Sequence, residues 1–487
     1  MRDMIVLLPG IIGSVLEKDG KDLWAPSCGA IFSALISRGK SLQQLKLGAD
    51  DITVDDLGDG IRATRLIADT RIVPGFIKVD GYNRISEMIN GNFEVEQGTI
   101  DIQKRTYPPA NYFAFPYDWR RDNRVSAKRL ADFIRQRLAE WREYAGAQAQ
   151  VIIVAHSMGG IVARYYLEAL QGWTDCKALI TFGTPFRGSV KALNYLANGC
   201  DLGPFEFTDL VRSFTSVYQL LPIYKVVRVD GGLQKVTDVE IPRFNRDAAR
   251  SALAFHQRII DLIELRKKRD GHSAYVLAPV VGQYQPTLQS AELFQDSLTV
   301  SEEVPSEFDE LLGHGDGTVP RLSAVPPEES KTHRNIFFAE SHGMLHCNDQ
   351  ALDFLYDQLT DLQVQGLEDL RGPERFPGFR SRTAISLRVP DFCLEREPLV
   401  IGAQIIADGR PAERLDHEEI VGSLTARLTP TDGNGAASEL AFQRDGDDWV
   451  AIAPNLSPAI YRLTAQASRN GPLSPSPVHE IFQVAGG

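Results

Sequence analysis

Short, uninterrupted apolar runs recur along the first two-thirds of the chain. They are Met4–Leu8 (MIVLL), Asn111–Phe115 (NYFAF), Gln150–Ala155 (QVIIVA), Lys177–Phe182 (KALITF), Ala274–Val281 (AYVLAPVV) and Asn335–Ala339 (NIFFA). A strand covered on both faces has no polar side to show, so such runs predict buried parallel strands. Between them the period lengthens. Leu130, Phe133, Ile134, Leu138 and Trp141 fall on one face of a helix, with Ser126 as its expected cap and Gly146 as its stop. A second helical pattern, IVARYYLEALQ, follows Gly160. The alternation of strand and helix predicts an α/β fold: a parallel sheet with right-handed crossovers and helices on both faces.

Two stretches break this rhythm. Between Arg187 and about Gly271, aromatic and aliphatic residues crowd together with Pro204 and Pro222, among them Phe205, Phe207, Phe214, Val217, Tyr218, Leu220, Leu221, Ile223 and Tyr224. That is too long for a connecting loop and is read as a helical cap over the sheet, at about 187–271. The stretch Cys28–Pro109 also holds more residues than one crossover needs and is expected to add a further excursion. Near Arg371–Arg380 (RGPERFPGFR) the chain becomes linker-like. Beyond it, AISLRV, LVIGAQII, SLTARLT, ELAFQR, DWVAIA and IYRLTAQA alternate apolar and polar positions between Gly- and Asp-rich turns. This predicts an all-β, immunoglobulin-like sandwich. The expected organisation is a sheet-and-cap domain over 1–370, a linker over 371–380 and a sandwich over 381–487.

Composition narrows the classes. With 43% hydrophobic and 24% charged residues, the chain is not disordered. Its formal charge of −12 disfavours nucleic acid as a partner, because such binding rests on neutralising phosphates. It equally disfavours a broad hold on anionic lipid, leaving transient contact with a membrane surface. Five cysteines without regular spacing argue against a disulfide framework or a structural zinc. A reducing, cytoplasmic location is expected, at most peripheral to membranes. The N-terminal MRDMIVLLPGIIGSV has a charged start and an apolar run, as short signal peptides do. Asp3 and Pro9-Gly10 argue against that reading. No run is long enough to span a bilayer as a helix.

The candidate chemistry centres on AHSMG at the end of the QVIIVA strand. A serine hydroxyl becomes a useful nucleophile when held exposed beside a base, with hydrogen-bond donors waiting for the oxyanion. A tight strand-to-helix turn does this, and needs small residues two positions either side of the serine. Here they are Ala155 and Gly159, with Ser157 between them. In an α/β-hydrolase the acid and then the histidine follow the serine along the chain. Asp316, between Gly315 and Gly317, is the candidate acid. His342 and His346, in SHGMLHCN after the last strand, are both candidate bases. The backbone N–H of Met158 and one from the Pro9–Ser14 loop would form the oxyanion hole.

Five segments together resemble the lecithin:cholesterol acyltransferase family, which includes lysosomal phospholipase and phospholipid:diacylglycerol acyltransferases. They are VLLPGIIGS (Val6–Ser14), PYDWR (Pro116–Arg120), VAHSMGG (Val154–Gly160), GTPFRGS (Gly183–Ser189) and GDGTVP (Gly315–Pro320), followed by SHGMLHCN. The resemblance spans about residues 1–360 and leaves out the C-terminal β segment. It implies an α/β-hydrolase fold with Ser157 as nucleophile, Asp316 as acid and His346 as base. The last follows from a family pattern in which the second histidine of H-G-x-x-H-x-N is the base. It also implies an oxyanion amide at Ile11. The cysteine pair that pins the lid of secreted members has no counterpart here, in keeping with a reducing compartment.

The implied activity is acyl transfer from a lipid or fatty-acyl ester to water or an alcohol, through an acyl-enzyme, with no metal or organic cofactor. Trp119, Phe214, Tyr218 and Leu221 are candidates to line an acyl groove; the alternative is that they form the cap's own core. Asp118 is expected to hold a loop. Two other readings compete: a generic carboxylesterase with a capped pocket, and a non-catalytic scaffold that presents the sandwich. The sandwich itself is expected to dock a partner protein, a surface or the cap.

Overall fold

The computed structural model describes residues 1–24, 43–364 and 383–486, apart from short stretches at 69, 74–76, 102, 105–106, 203–204, 271–273, 310–312, 330–335, 408, 413–419, 432, 434, 454 and 470–473. Cys28 and the 371–380 linker lie outside the described residues.

The apolar runs form one six-stranded parallel sheet. Its strands are β1 (Met4–Leu8), β2 (Tyr112–Ala114), β3 (Val151–His156), β4 (Cys176–Phe182), β5 (Val276–Gly282) and β6 (Ile336–Phe338), in the order β6-β5-β4-β3-β1-β2. Every neighbouring pair is parallel. β1 and β3 are buried at every position, as expected of central strands covered on both faces. Each boundary agrees with its apolar run to within two residues.

Helix α1 (Asn83–Asn92) precedes β2, α2 (Asn123–Ala145) joins β2 to β3, and α3 (Met158–Ala169) joins β3 to β4. α2 begins earlier than its apolar stripe suggested. The cap is Asp122 rather than Ser126, and its carboxylate accepts from the N–H of Arg124. Ser126 is instead buried within the first turn. Gly146 does stop the helix, at φ 101.

The excursion over 187–271 carries helices, but it is not purely helical. α4 (Val190–Asn198) and the long α5 (Arg246–Asp270) flank a hairpin of Val227–Val229 with Gly232–Gln234. That hairpin extends into a four-stranded sheet with Ser290–Phe294 and Ser297–Ser301. The turn Asp230-Gly231 has φ 49 and φ 80, the left-handed pair that a two-residue hairpin requires. Asp-Gly inside a β-branched run was the signal for it.

The C-terminal segment forms two stacked sheets. One comprises β7 (Thr383–Arg388), Leu399–Ala407, Asp448–Ala453 and Gln443–Asp445. The other comprises Phe392–Leu394, Leu424–Pro430, Ser438–Ala441, β8 (Ala459–Ala467) and β9 (Val478–Ala485). All pairs are antiparallel save Phe392–Leu394 with β9. Alternate residues of Leu424–Pro430 are buried, which fixes its register against the inner core. A second apolar core, separate from that of the parallel sheet, fills the space between the two sheets.

Candidate active site

Ser157 sits at the end of β3, where the chain turns into α3. Its backbone is left-handed, φ 51 and ψ −125, a costly conformation for a residue with a Cβ and one that thrusts the side chain out of the turn. The turn is over-determined. Ser157 donates its N–H to the Phe182 carbonyl at 2.8 Å, and its own carbonyl accepts from Thr184 Oγ1 at 2.9 Å and from Gly160 N–H at 3.1 Å. A Cβ at Gly159 would lie 2.4 Å from the Pro9 carbonyl oxygen, so the helix could not close on β1 with any larger residue there. Ala155, where the motif usually has glycine, is buried in β3 and pairs with Leu8 and Thr181.

The structure brings His342 to Ser157. Its Nε2 lies 2.9 Å from Ser157 Oγ, and its Nδ1 lies 2.7 Å from Asp316 Oδ2. A carboxylate can only accept, so Nδ1 carries the proton and Nε2 is left to accept from the serine hydroxyl. Asp316 is fixed in turn. Its Oδ1 accepts from Thr318 N–H at 3.0 Å and Val319 N–H at 2.7 Å, and its carbonyl accepts from His342 N–H at 2.7 Å. All three side chains are buried or nearly so.

His346 is not at this position, which corrects the expectation that it is the base. Its Nε2 donates to the Asp80 carbonyl at 2.7 Å, and its ring packs on Tyr82 and His156. The physical reason is the short run of chain after β6. His342, four residues past Phe338, is still within reach of the sheet edge, whereas the turn through Gly343 carries His346 beneath it. Gly343 itself allows close passage, for a Cβ there would meet the Lys78 carbonyl oxygen at 2.4 Å. The family pattern transferred the choice to the second histidine, four residues too far along. Distance from the strand end was the signal that favours His342.

A buried chain of hydrogen bonds links the His342 loop to the loop after β1. Gly10 N–H donates to Tyr82 Oη at 2.8 Å, and Tyr82 lies 2.9 Å from His156 Nδ1. His156 Nε2 donates to the His342 carbonyl at 3.1 Å. Burial, with His346 and His342 nearby, holds the pKa of His156 well below its ordinary value, so it stays neutral. Burial likewise lowers His346, to about 4. Neither His156 nor Tyr82 stood out in the sequence as a site residue.

The proposed oxyanion donors flank the serine. Met158 is the first residue of α3, where N–H groups have no intrahelical acceptor. Ile11 follows Gly10, and a Cβ on Gly10 would lie 2.9 Å from Ser157 Cβ, so this loop borders Ser157. Trp119, Phe214, Tyr218 and Leu221 are placed in the packed core. Trp119 Nε1 donates to the Ser14 carbonyl and its ring meets Phe214 edge-on at 5.5 Å. They pack in the one apolar core that these residues share with the parallel sheet. Asp118 pairs with the fully buried Arg120, which also reaches Asp59, and so holds the loop as expected.

A cavity of about 520 Å³ opens beside Asp316 and His342. Asp316, Thr318, His342 and Lys191 line one side, and Val389 and Asp391 of the sandwich line another. Among the described residues no cluster of metal-ligating side chains is present, and no helix is long and apolar enough to cross a membrane.

Residues 77–307 match the family model described as lecithin:cholesterol acyltransferase. The resemblance to that family therefore stands over this stretch, which contains PYDWR, VAHSMGG and GTPFRGS. The lysosomal phospholipase A and acyltransferase of Homo sapiens is 35% identical over 116 residues, covering 22% of this chain and 27% of that protein. The phosphatidylcholine-sterol acyltransferase of Gallus gallus is 34% identical over 94 residues, covering 18% of this chain and 22% of that protein. The aligned stretches thus span about a quarter of the length of these curated relatives. Among solved structures, a Tle4–Tli4 complex aligns with a TM-score of 0.49 and 14% identity, over 74% of this chain and 99% of that one.

Proposed function

We propose that this chain is a serine-dependent lipid acyl hydrolase or acyltransferase, with Ser157 as nucleophile, His342 as base and Asp316 as the acid that orients it. The observation that carries the proposal is the continuous relay from Ser157 Oγ through His342 to Asp316, at 2.9 and 2.7 Å. In the first step His342 Nε2 takes the hydroxyl proton as Oγ attacks an ester carbonyl. Asp316 stabilises the imidazolium, and the N–H groups of Met158 and Ile11 receive the oxyanion. Collapse expels the alcohol with the proton from His342 and leaves the acyl group on Ser157. Water or a second alcohol then enters by the same route in reverse. The chemistry calls on no group beyond these side chains and amides.

Lipid esters are favoured as substrates by the similarity to the two acyltransferases and by the family-model match over residues 77–307, which contain Ser157. The decisive experiment pairs a fluorophosphonate probe with phosphatidylcholine vesicles. The wild type should be labelled and should release fatty acid, and Ser157→Ala should do neither. Absence of labelling in the wild type would favour a non-catalytic scaffold. Labelling together with hydrolysis of short nitrophenyl esters, but none of vesicles, would favour a generic carboxylesterase.

A further inference from the structure

The C-terminal sandwich falls outside the family resemblance, yet it meets the parallel-sheet domain at the two loops that carry the acid and the base. Glu340, immediately before Ser341-His342, is fully buried. Its carboxylate accepts four hydrogen bonds, two from its own loop and two from β9. Ser341 N–H and His479 N–H reach Oε1, each at 2.9 Å. Asn348 Nδ2 and His479 Nδ1 reach Oε2, each at 2.7 Å. Ser341 Oγ returns a bond to the His479 carbonyl at 2.8 Å.

Two further ties repeat the arrangement. Arg462 of β8 binds Asp80 Oδ2 at 2.5 Å, and the Asp80 carbonyl holds His346 at the far end of the same loop. On the acid side, Gln285 bonds the β7 backbone at Ile385 and Leu387, while its own N–H holds the Gly315 carbonyl beside Asp316.

From this we infer that the sandwich is part of the catalytic apparatus, with Glu340 and His479 as positioning residues that hold His342 in register with Ser157. The inference rests on the proposed serine chemistry and deepens it. A buried carboxylate–imidazole pair adds little net stability, because desolvation consumes most of the attraction. What it supplies is direction, since four donors converge on one carboxylate in a single arrangement. Burial opposes the charge on His479, but Glu340 outweighs it and raises the pKa above the ordinary histidine value, which favours the proton on the imidazole. A sandwich that served only as a passenger on a linker would not place its strand's side chain against the residue two before the base.

The test is made in the full chain, with ester turnover, fluorophosphonate labelling rate and melting temperature measured on each variant. His479→Ala removes the pair at an edge where the side chain is 22% exposed, so folding should survive. Its kcat and labelling rate should fall by about tenfold to a hundredfold, the scale of an ångström of misplacement, with KM within about twofold. His479→Asn, which keeps an N–H where Nδ1 stood, should recover most of the loss. Glu340→Gln should lower the same rates as His479→Ala. If His479→Ala is labelled as fast as wild type, whatever its melting temperature, the inference is overturned while the serine chemistry stands. A wild type that is not labelled at all would sink the serine chemistry first.

Discussion

The imidazole of His346 leans on that of His156, with ring centroids 4.3 Å apart and planes at 33°. The contact lies beside the Ser157–His342 pair, and His346 connects to that pair through His156, whose Nε2 bonds the His342 carbonyl. The two histidines of SHGMLHCN thus occupy different places, His342 against Ser157 and His346 against Asp80 and His156. His342→Ala should lower turnover by several decades, as loss of a triad base does. His346→Gln, which retains a donor toward the Asp80 carbonyl, should remain within about tenfold of wild type on the same scale. Turnover of a nitrophenyl ester, normalised to folded protein, checks both, and the reverse order would return the base to His346.

In the proposed relay, Asp316 acts on His342 by fixing its tautomer. With Asn in its place, an amide N–H can face Nδ1 and drive the proton to Nε2, the nitrogen that must be free to accept. Asp316→Asn should therefore fold but lose about 10⁴-fold in kcat, the size of the tautomer effect in serine triads. Equal melting temperatures with a kcat within tenfold of wild type would show that Asp316 does not set the tautomer.

The parallel sheet was legible because buried central strands leave uninterrupted apolar runs, and β1 through β6 all did so. Ser157 was legible because its turn demands small neighbours at Ala155 and Gly159. Three features were not. The choice of His342 over His346 was missed because the family pattern overrode its one local signal, the distance from the end of β6. The Val227–Gln234 hairpin was absorbed into a helical cap because its aromatic surroundings dominated its Asp-Gly turn. The junction of Glu340 with His479 joins residues 139 apart, and no local pattern marks either as a partner of the other.

Gly159 is a further point of control. The nearest atoms to an added Cβ are backbone, Pro9 O at 2.4 Å and Leu8 O at 3.0 Å, and backbone cannot rotate away as a side chain would. Gly159→Ala must push α3 from the end of β1, and with it the Met158 N–H from the Ile11 N–H. Loss of one oxyanion donor costs about 2.7–4 kcal/mol of barrier. The expected result is a kcat lowered by about a hundredfold or more, with a melting temperature also reduced. A variant with wild-type kcat would show that the oxyanion is held elsewhere.

Acid should destabilise the fold before it titrates any surface pair that matters. Burial holds His346 and His256 at about 4 and His156 well below its ordinary value, while each titrates near 6.5 in the unfolded chain. Between pH 6.5 and 4 the unfolded state therefore binds protons that the native state refuses, so stability falls as pH falls. For His346 alone the full drop is about 3 kcal/mol. His479 has the opposite sign. Its raised folded pKa gives stability that is present below pH 6.5 and is lost as pH rises through the folded value, so it offsets none of the loss on the acid side of 6.5. Melting temperatures should decline from pH 7 to pH 4.5, and the decline should be shallower in His346→Gln, which has no proton to refuse. An equal decline in the variant and the wild type would mean that His346 is not held neutral by its burial, and that the floor beneath the base is open to water.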